Sequence, residues 1–282
     1  MIYQFTRTGD RHILRRAPCD DSVAAVQFGN YSALILSDGC SSSPFGGDSS
    51  RRITNRLADL IRRPNSFLSS DTIFSGEDFI RYCMNPENAE ACLWLLFGEL
   101  DKEAQAMCRL FHCRRKDLCC TLAVAFVEFH PDRINNSAVV ITVGDGFVAA
   151  HSRKYKDVTL ISRGENRCNN PNMTYFCTSE NASDNAHIYY IDDFDELLLS
   201  SDGITHVTDI DSQCELNRLM SDIASSVGVT DIRFSNEMNR ILSDYVQMYT
   251  SERNLDDDCG IIYYSTDKKS IRRLNKKTRE LL

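Results

Sequence analysis

Four short acidic signatures are the residues of this chain best suited to chemistry. They are Asp20-Asp21, Ser37-Asp38-Gly39, Ser201-Asp202-Gly203 and Asp256-Asp257-Asp258. Carboxylates held at strand ends are rigidly placed, and several of them at one point concentrate negative charge that a cation would neutralise. Such oxygen ligands suit Mg²⁺ or Mn²⁺ rather than zinc. Asp and Gly also mark turns, which explains any single pair, but the whole set favours a metal site.

The elements that must position these carboxylates are short apolar runs typical of buried strands. Residues 31–36 precede Asp38, residues 196–199 precede Asp202, and residues 261–264 follow Asp257. Gly29-Asn30 predicts a hairpin between strands at 22–28 and 31–36. Further strands are predicted at 121–129, 138–143, 147–151 and 157–161. Helical spacing predicts helices at 48–63 (with Asp48 as N-cap), 87–111, 212–227 and 235–248. This order of elements predicts an α+β sandwich.

Composition narrows the class of protein. The chain has 282 residues, 26% of them charged, and a net charge of −8, which disfavours a general nucleic-acid binder. Residues 267–282 carry seven Lys/Arg and two acids, a local +5 that leaves −13 for the rest. This basic tail is interpreted as a solvated terminal helix or a docking segment for an acidic partner.

The N-terminus shows no signal-peptide core, and the longest apolar stretch, around residues 122–127, is too short to cross a bilayer. We therefore expect a cytoplasmic protein, no membrane partner, and mostly free thiols among the twelve cysteines. The spacing of Cys108, His112, Cys113, Cys119 and Cys120 matches no paired zinc knuckle.

The ordered motifs resemble the metal-dependent type 2C (PPM-type) protein serine/threonine phosphatases, in their bacterial branch. The motifs that carry the resemblance are GDRHILRRAPCDDS, SDGCSS, CCTLAVAFV, VGDG, GENRCNNPNMTYFCTS, LLLSSDGITH and LDDDCGIIYY. They run in family order from Gly9 to Tyr264. The resemblance implies a four-layer α/β/β/α sandwich, two antiparallel sheets flanked by helix pairs. It also implies a phosphatase domain at residues 1–266, followed by the basic tail at 267–282.

The resemblance assigns roles to particular residues. Asp38 would be shared by two Mn²⁺ or Mg²⁺ ions, with the Gly39 carbonyl on the second ion and Asp202 and Asp257 on the first. Asp21 would orient water on the metal, and Asp145 would join Asp202 at a third, weaker metal position. Arg16, five residues before Asp21, matches the phosphate-binding arginine of the family, and His12 or Arg15 is the alternative cation. A flap at about 162–186 would contact substrate through Asn170, Thr174, Tyr175 and Phe176.

Three departures from the family pattern lie near these residues. Asp20 stands where Gln or Glu is usual, Cys40-Ser41-Ser42 replaces a loop that usually carries glycine, and Gly260 replaces a Ser or Thr. None of them removes an implied metal ligand. Activity is therefore expected, with metal affinity left open.

The chemistry follows from general principles. Two divalent ions roughly 3.5–4 Å apart can bridge a water and present hydroxide in line to phosphorus. The predicted function is hydrolysis of phosphoserine or phosphothreonine on a protein, reversing a serine/threonine kinase. The alternative is a non-catalytic relative that binds a phosphoprotein or regulator. A phosphatase of small phosphomonoesters and a structural Ca²⁺ protein are weaker alternatives, the latter because the loops lack the EF-hand pattern.

Overall fold

Two five-stranded antiparallel sheets form the centre of the molecule in a computed structural model. The structure describes residues 1–64, 66–68, 73–130, 135–152, 154, 157–164, 174–226, 231–249 and 255–266. The first sheet has the order β1 (Ile2–Arg7), β12 (Cys259–Ser265), β11 (Glu196–Ser200), β8 (Phe147–His151), β9 (Val158–Ser162). The second has the order β10 (His187–Phe194), β7 (Asn135–Val143), β6 (Leu122–His130), β3 (Tyr31–Ser37), β2 (Ser22–Phe28). A small hairpin, β4 (Phe67–Leu68) and β5 (Ile73–Phe74), lies apart from both sheets.

Helices cover the outer faces of the two sheets. The described α-helices are α1 (Asp10–Arg15), α2 (Gly46–Arg62), α3 (Gly76–Cys83), α4 (Ala89–Phe111), α5 (Gln213–Ser225) and α6 (Asp231–Tyr249), of which α2 to α6 cover these faces. Helices α2, α3 and α4 share a core with the outer face of the second sheet, and α5 and α6 share one with the first. Within the described ranges, no helix combines the length and apolar composition needed to cross a bilayer.

Strand β3 shows why the layers form. Its side chains alternate between two faces, and both faces are buried. Leu34 and Leu36 pack between the sheets, against Leu199 of the first sheet. Ala33 and Ile35 face the helices of the second sheet. The four-layer sandwich of the sequence analysis is confirmed.

Most predicted elements are present with small shifts at their ends. The hairpin is confirmed: β2 and β3 pair with Phe28 opposite Tyr31, and Gly29 has a φ of 50°. Helix α2 begins at Gly46, so Asp48 is not its N-cap; it lies in the first turn, where its carboxylate pairs with Arg51 at 2.9 Å.

The sequence analysis missed β1, α1, α3 and β10. Strand β1 has only alternate residues buried, Tyr3 and Phe5, and pairs on one side only. Strand β10 is the edge of the second sheet and is half-exposed along most of its length. Edge strands need less apolar sequence than central ones, so they give a weaker pattern.

The cysteines divide into one disulfide and free thiols. Cys83 at the end of α3 is bonded to Cys92 in α4. The other nine cysteines among the described residues are free, so the expectation of mostly free thiols agrees with this part of the chain.

Candidate metal centre

Four aspartates from different strand ends meet at one end of the sandwich. Asp38 follows β3, Asp145 lies between β7 and β8, Asp202 follows β11, and Asp257 precedes β12. Carboxylate oxygens of Asp38, Asp145 and Asp202 lie within 4.8 Å of one another. Asp202, Asp257 and His206 form a second group, whose ligand atoms also lie within 4.8 Å of one another. Residues up to 219 positions apart (Asp38 to Asp257) are thus brought together by the two sheets.

These aspartates line an open cleft of about 370 Å³. Its wall also includes Gly39, the serines Ser41, Ser42 and Ser43, Lys116, Thr121, Thr174 and Phe176. A neighbouring cleft of about 620 Å³ shares Asp145 and Asp202 and extends past Arg163 and His206. The carboxylates are therefore accessible from solvent on two sides.

Hydrogen bonds to Thr121, the residue just before strand β6, fix the Asp38 loop. The Thr121 amide donates to the Asp38 carbonyl at 2.8 Å, and the Asp38 amide donates to Thr121 Oγ1 at 3.1 Å. The next residue, Gly39, passes so close to the start of α2 that a Cβ there would lie 2.5 Å from the Gly46 carbonyl carbon. Only glycine allows this approach, which brings the Asp38 loop against the N-terminus of the helix.

Burial makes ionisation of these carboxyls costly in the metal-free chain. Burial, followed by repulsion from Asp21 and Asp202, raises the pKa of Asp38 well above its usual range. Burial and then repulsion from Asp202 raise the pKa of Asp145 to about 6. The same two causes raise the pKa of Asp257. A cluster whose own charges repel one another is a place where a cation binds favourably.

Asp21 supplies a second sign that a cation fits here. Its side chain is 5% exposed, and burial raises its pKa to about 7. The Ser201 hydroxyl donates to Asp21 Oδ2 at 2.6 Å, while Asp21 Oδ1 is buried without a hydrogen-bond partner among the described residues. A buried oxygen left in this way indicates a missing donor, water or ion. The all-oxygen set of donors fits Mg²⁺ or Mn²⁺.

His12, Asp20 and Asp258 form a separate buried cluster beside the centre. His12 Nδ1 lies 2.9 Å from Asp258 Oδ2, and Nε2 lies 3.6 Å from Asp20 Oδ2. The Gly9 amide donates to Asp258 Oδ1 at 2.6 Å, and the Asp20 amide donates to Asp258 Oδ2. His12 is 7% exposed, and both of its ring nitrogens face carboxylates.

The two predicted phosphate-binding cations are not brought to the cleft. Arg16 ends α1 in the left-handed conformation, with φ 55° and an exposed side chain. Among the described residues that line the cleft of the four aspartates, neither Arg16 nor His12 is present. Their phosphate-binding role stays a prediction.

The flap is described only at its two ends. Thr174 and Phe176 line the cleft, and Asn170 lies outside the described residues. The contact of these residues with substrate stays a prediction. At the other end, Gly164 has φ 79°, and a Cβ there would lie 2.4 Å from the Asp145 carbonyl carbon. This close approach requires glycine and places the start of the flap against the metal centre.

The sequence analysis missed Ser201 and Asp258. The Ser201 hydroxyl donates to Asp21 and accepts from the Gly260 amide at 2.9 Å, joining β12 to the centre. Both residues lie inside the acidic signatures, so the sequence did mark them as candidates. Neighbouring residues in an extended segment point to opposite sides, which implies that Asp257 and Asp258 serve different clusters. The sequence does not show which of them faces which cluster.

Comparison with known families and structures agrees with this fold. The family model for protein phosphatase 2C matches residues 8–245. The chain therefore belongs to the protein phosphatase 2C family. No curated protein sequence matches it.

Solved structures share the fold at low sequence identity. The chain is similar to a bacterial serine phosphatase, with a TM-score of 0.60, 14% identity, and 94% of this chain and 97% of that one covered. For the serine/threonine phosphatase Stp1 of Staphylococcus aureus the TM-score is 0.58, with 14% identity and 94% of each chain covered. For PstP/Ppp of Mycobacterium tuberculosis it is 0.55, with 13% identity and 95% and 98% covered. The strand ends that carry the aspartates are thus part of a fold shared with phosphatases.

Proposed function

We propose that this protein is a metal-dependent phosphatase that hydrolyses phosphoserine or phosphothreonine on proteins. The observation that carries the proposal is the convergence of Asp38, Asp145, Asp202 and Asp257 in one solvent-open cleft. Membership of the protein phosphatase 2C family supports it.

In this proposal the carboxylates would hold a pair of Mn²⁺ or Mg²⁺ ions. Asp38 would serve both ions, the Gly39 carbonyl would serve the second, and Asp202 and Asp257 would serve the first. Asp145, together with Asp202, would offer a third, weaker position. The ions, when bound, supply Lewis acidity that activates water and neutralises charge on the phosphoryl oxygens.

The chain's own groups orient that chemistry. Asp21 is fixed by the Ser201 hydroxyl through Oδ2, so its free Oδ1 is held in place to accept a hydrogen bond from water in the centre. Asp38 is fixed through its backbone by Thr121. Thr174 and Phe176 border the cleft and would contact the substrate next to its phosphate.

The setting we propose is cytoplasmic, where a serine/threonine kinase would supply the phosphorylated substrate. Nine free thiols among the described residues agree with a reducing compartment, and the Cys83–Cys92 disulfide is an exception to that pattern. The alternative is a module that binds a phosphoprotein without hydrolysing it. The four carboxylates count against that alternative, because a binding module has no need of a self-repelling cluster.

The test is phosphate release from a phosphothreonine peptide with Mn²⁺, with and without EDTA. Asp38→Asn and Asp202→Asn should each lower the rate at least about a hundredfold, since even residues that only support a metal ligand commonly cost 10–100-fold. Asp244→Asn removes an exposed carboxylate of α6, outside the cleft, and should leave the rate unchanged. A silent wild type that still binds Mn²⁺ and phosphopeptide would favour the binding module.

A further inference from the structure

The proposed centre lacks an obvious partner for the charge of its substrate. Two divalent ions carry four positive charges, and the four aspartates of the cleft balance them when ionised. A phosphate monoester brings a further charge of about −1.5 to −2 at neutral pH. Phosphate sites usually meet such charge with Arg or Lys. The question is which cation of this chain does so.

Most cations near the centre are already engaged. Arg163 of the neighbouring cleft pairs with Asp211. Arg115 pairs with Asp101 and donates to the Thr178 carbonyl at 3.1 Å. Arg16 is exposed and does not line the cleft.

Lys116 differs from all of these. Its side chain is exposed, lines the same cleft as the four aspartates, and forms no ion pair with a described residue. The cleft has a volume of about 370 Å³, and Lys116 and the four aspartates all line it, so a phosphoryl group bound there would share it with the ammonium group.

The segment that carries Lys116 is held from both sides. Arg115 ties it to Thr178, in the C-terminal half of the flap. The Phe45 amide donates to the Asp117 carbonyl at 3.0 Å, and the Cys119 amide donates to Ser43 Oγ at 3.1 Å. The backbone of Lys116 is thus fixed relative to the Asp38 loop, and only its side chain must be ordered when a ligand binds.

We propose that Lys116 binds the phosphate group of the substrate, in the place that the sequence analysis gave to Arg16. The exposed hydroxyls of Ser41 and Ser42 lie on the same wall and offer neutral donors beside the ammonium group. This inference rests on the proposed function for the identity of the ligand, a phosphorylated peptide.

The test compares Lys116→Gln with Lys154→Gln, which removes an exposed lysine outside the cleft that pairs with Asp193 at 3.6 Å. Each variant is assayed with Mn²⁺ on a phosphothreonine peptide and on p-nitrophenyl phosphate, with inorganic phosphate as product inhibitor. Loss of a hydrogen bond to a charged group should raise KM for both substrates and the inhibition constant of phosphate about tenfold, with kcat changed less than about threefold. Lys154→Gln should match the wild type, and Lys116→Arg should recover part of the loss.

Three results would overturn the proposal. One is a Lys116→Gln variant with unchanged constants. Another is a KM increase confined to the peptide, which would place Lys116 on the peptide and not on the phosphate. The third is a larger increase for Arg16→Gln than for Lys116→Gln.

A direct measurement separates this proposal from the proposed function. Affinity for the fluorescent phosphothreonine peptide is measured by anisotropy in the presence of Mn²⁺. If the wild type binds the peptide without hydrolysing it, the proposed function fails. A tenfold weaker affinity in Lys116→Gln then still supports the role of Lys116, and an unchanged affinity overturns it.

Discussion

Two aspartate clusters lie side by side in this molecule and differ in how their charge is compensated. Asp258 is 3% exposed, yet its two oxygens face the Gly9 amide, the Asp20 amide and His12. In the metal centre, by contrast, Asp38 faces the carboxylates of Asp21 and Asp202, and burial and repulsion raise its pKa. The chain itself compensates the charge of Asp258, whereas Asp38 faces mainly other carboxylates.

The difference in charge compensation separates structural from functional carboxylates. Buried charges that are paired contribute to the fold, whereas buried charges that repel one another weaken it. Such a cluster is kept at a cost in stability, and functional sites are where such costs are commonly found. The adjacent residues Asp257 and Asp258 show that the distinction can change within one peptide bond.

The most direct test of this difference is to neutralise one aspartate in each cluster. Asp258→Asn should lower the free energy of unfolding by about 3 kcal/mol, because it removes a charged acceptor of three interactions. Asp38→Asn should leave stability unchanged or raise it in EDTA, since it relieves repulsion. Both are measured by urea unfolding in EDTA. Equal losses in the two variants would contradict the distinction.

Metal addition should act on one cluster only. Mn²⁺ at about thirty times its dissociation constant should raise the free energy of unfolding by about 2 kcal/mol, because the folded chain alone binds it. The gain is measured by urea unfolding with and without EDTA. Asp202→Asn should abolish it, whereas Asp244→Asn should keep it. A wild type that Mn²⁺ does not stabilise would argue against the metal centre.

Two histidines beside neighbouring aspartates offer a smaller contrast. His12→Gln should cost about 1–2 kcal/mol, because Asp258 and Asp20 each lose a buried partner. His206 is 58% exposed and lies 3.8 Å from Asp257, so His206→Gln should change stability by less than about 0.5 kcal/mol. Thermal or urea unfolding in EDTA measures the loss of stability in each variant. A larger loss for His206→Gln would reverse our assignment of structural and functional roles.

The pH dependence of stability tests the charge state of the same centre. The pKa of Asp21 is raised to about 7 and that of Asp145 to about 6, against about 3.9 in an unfolded chain. The folded state therefore holds more protons in this window, and these groups lower stability as the pH rises from about 4 to about 7. Unfolding in EDTA at pH 5, 6 and 7.5 measures the trend. Asp21→Asn should reduce it, and an unchanged trend would show that Asp21 does not titrate in this range.

Local sequence was enough to predict the strands that border Asp38, Asp202 and Asp257, whereas the four layers and Asp145 were implied by the family resemblance. The hairpin at Gly29 and the doubly buried strand β3 depend on nearby residues alone, so their patterns are strong. Edge strands β1 and β10 are half-exposed and gave no clear pattern.

What the sequence could not give are pairings between distant residues. The partners of Asp258 lie at positions 9, 12 and 20, and nothing near Asp258 indicates them. Lys116 likewise lies in a short turn with no motif, and it reaches the cleft because Phe45, Ser43 and Thr178 hold that turn. Such contacts are set by the packing of the two sheets rather than by any local preference.

The bond from the Gly9 amide to Asp258 has a consequence for how the protein is made. It spans 249 residues, and β1 pairs with β12 along the same seam. At about 5–20 residues per second, the ribosome needs on the order of tens of seconds between these two positions. Until β12 emerges, Asp257 is absent and the nascent chain has an incomplete ligand set. Metal should therefore bind only after the segment that carries Asp257 and β12 has been synthesised.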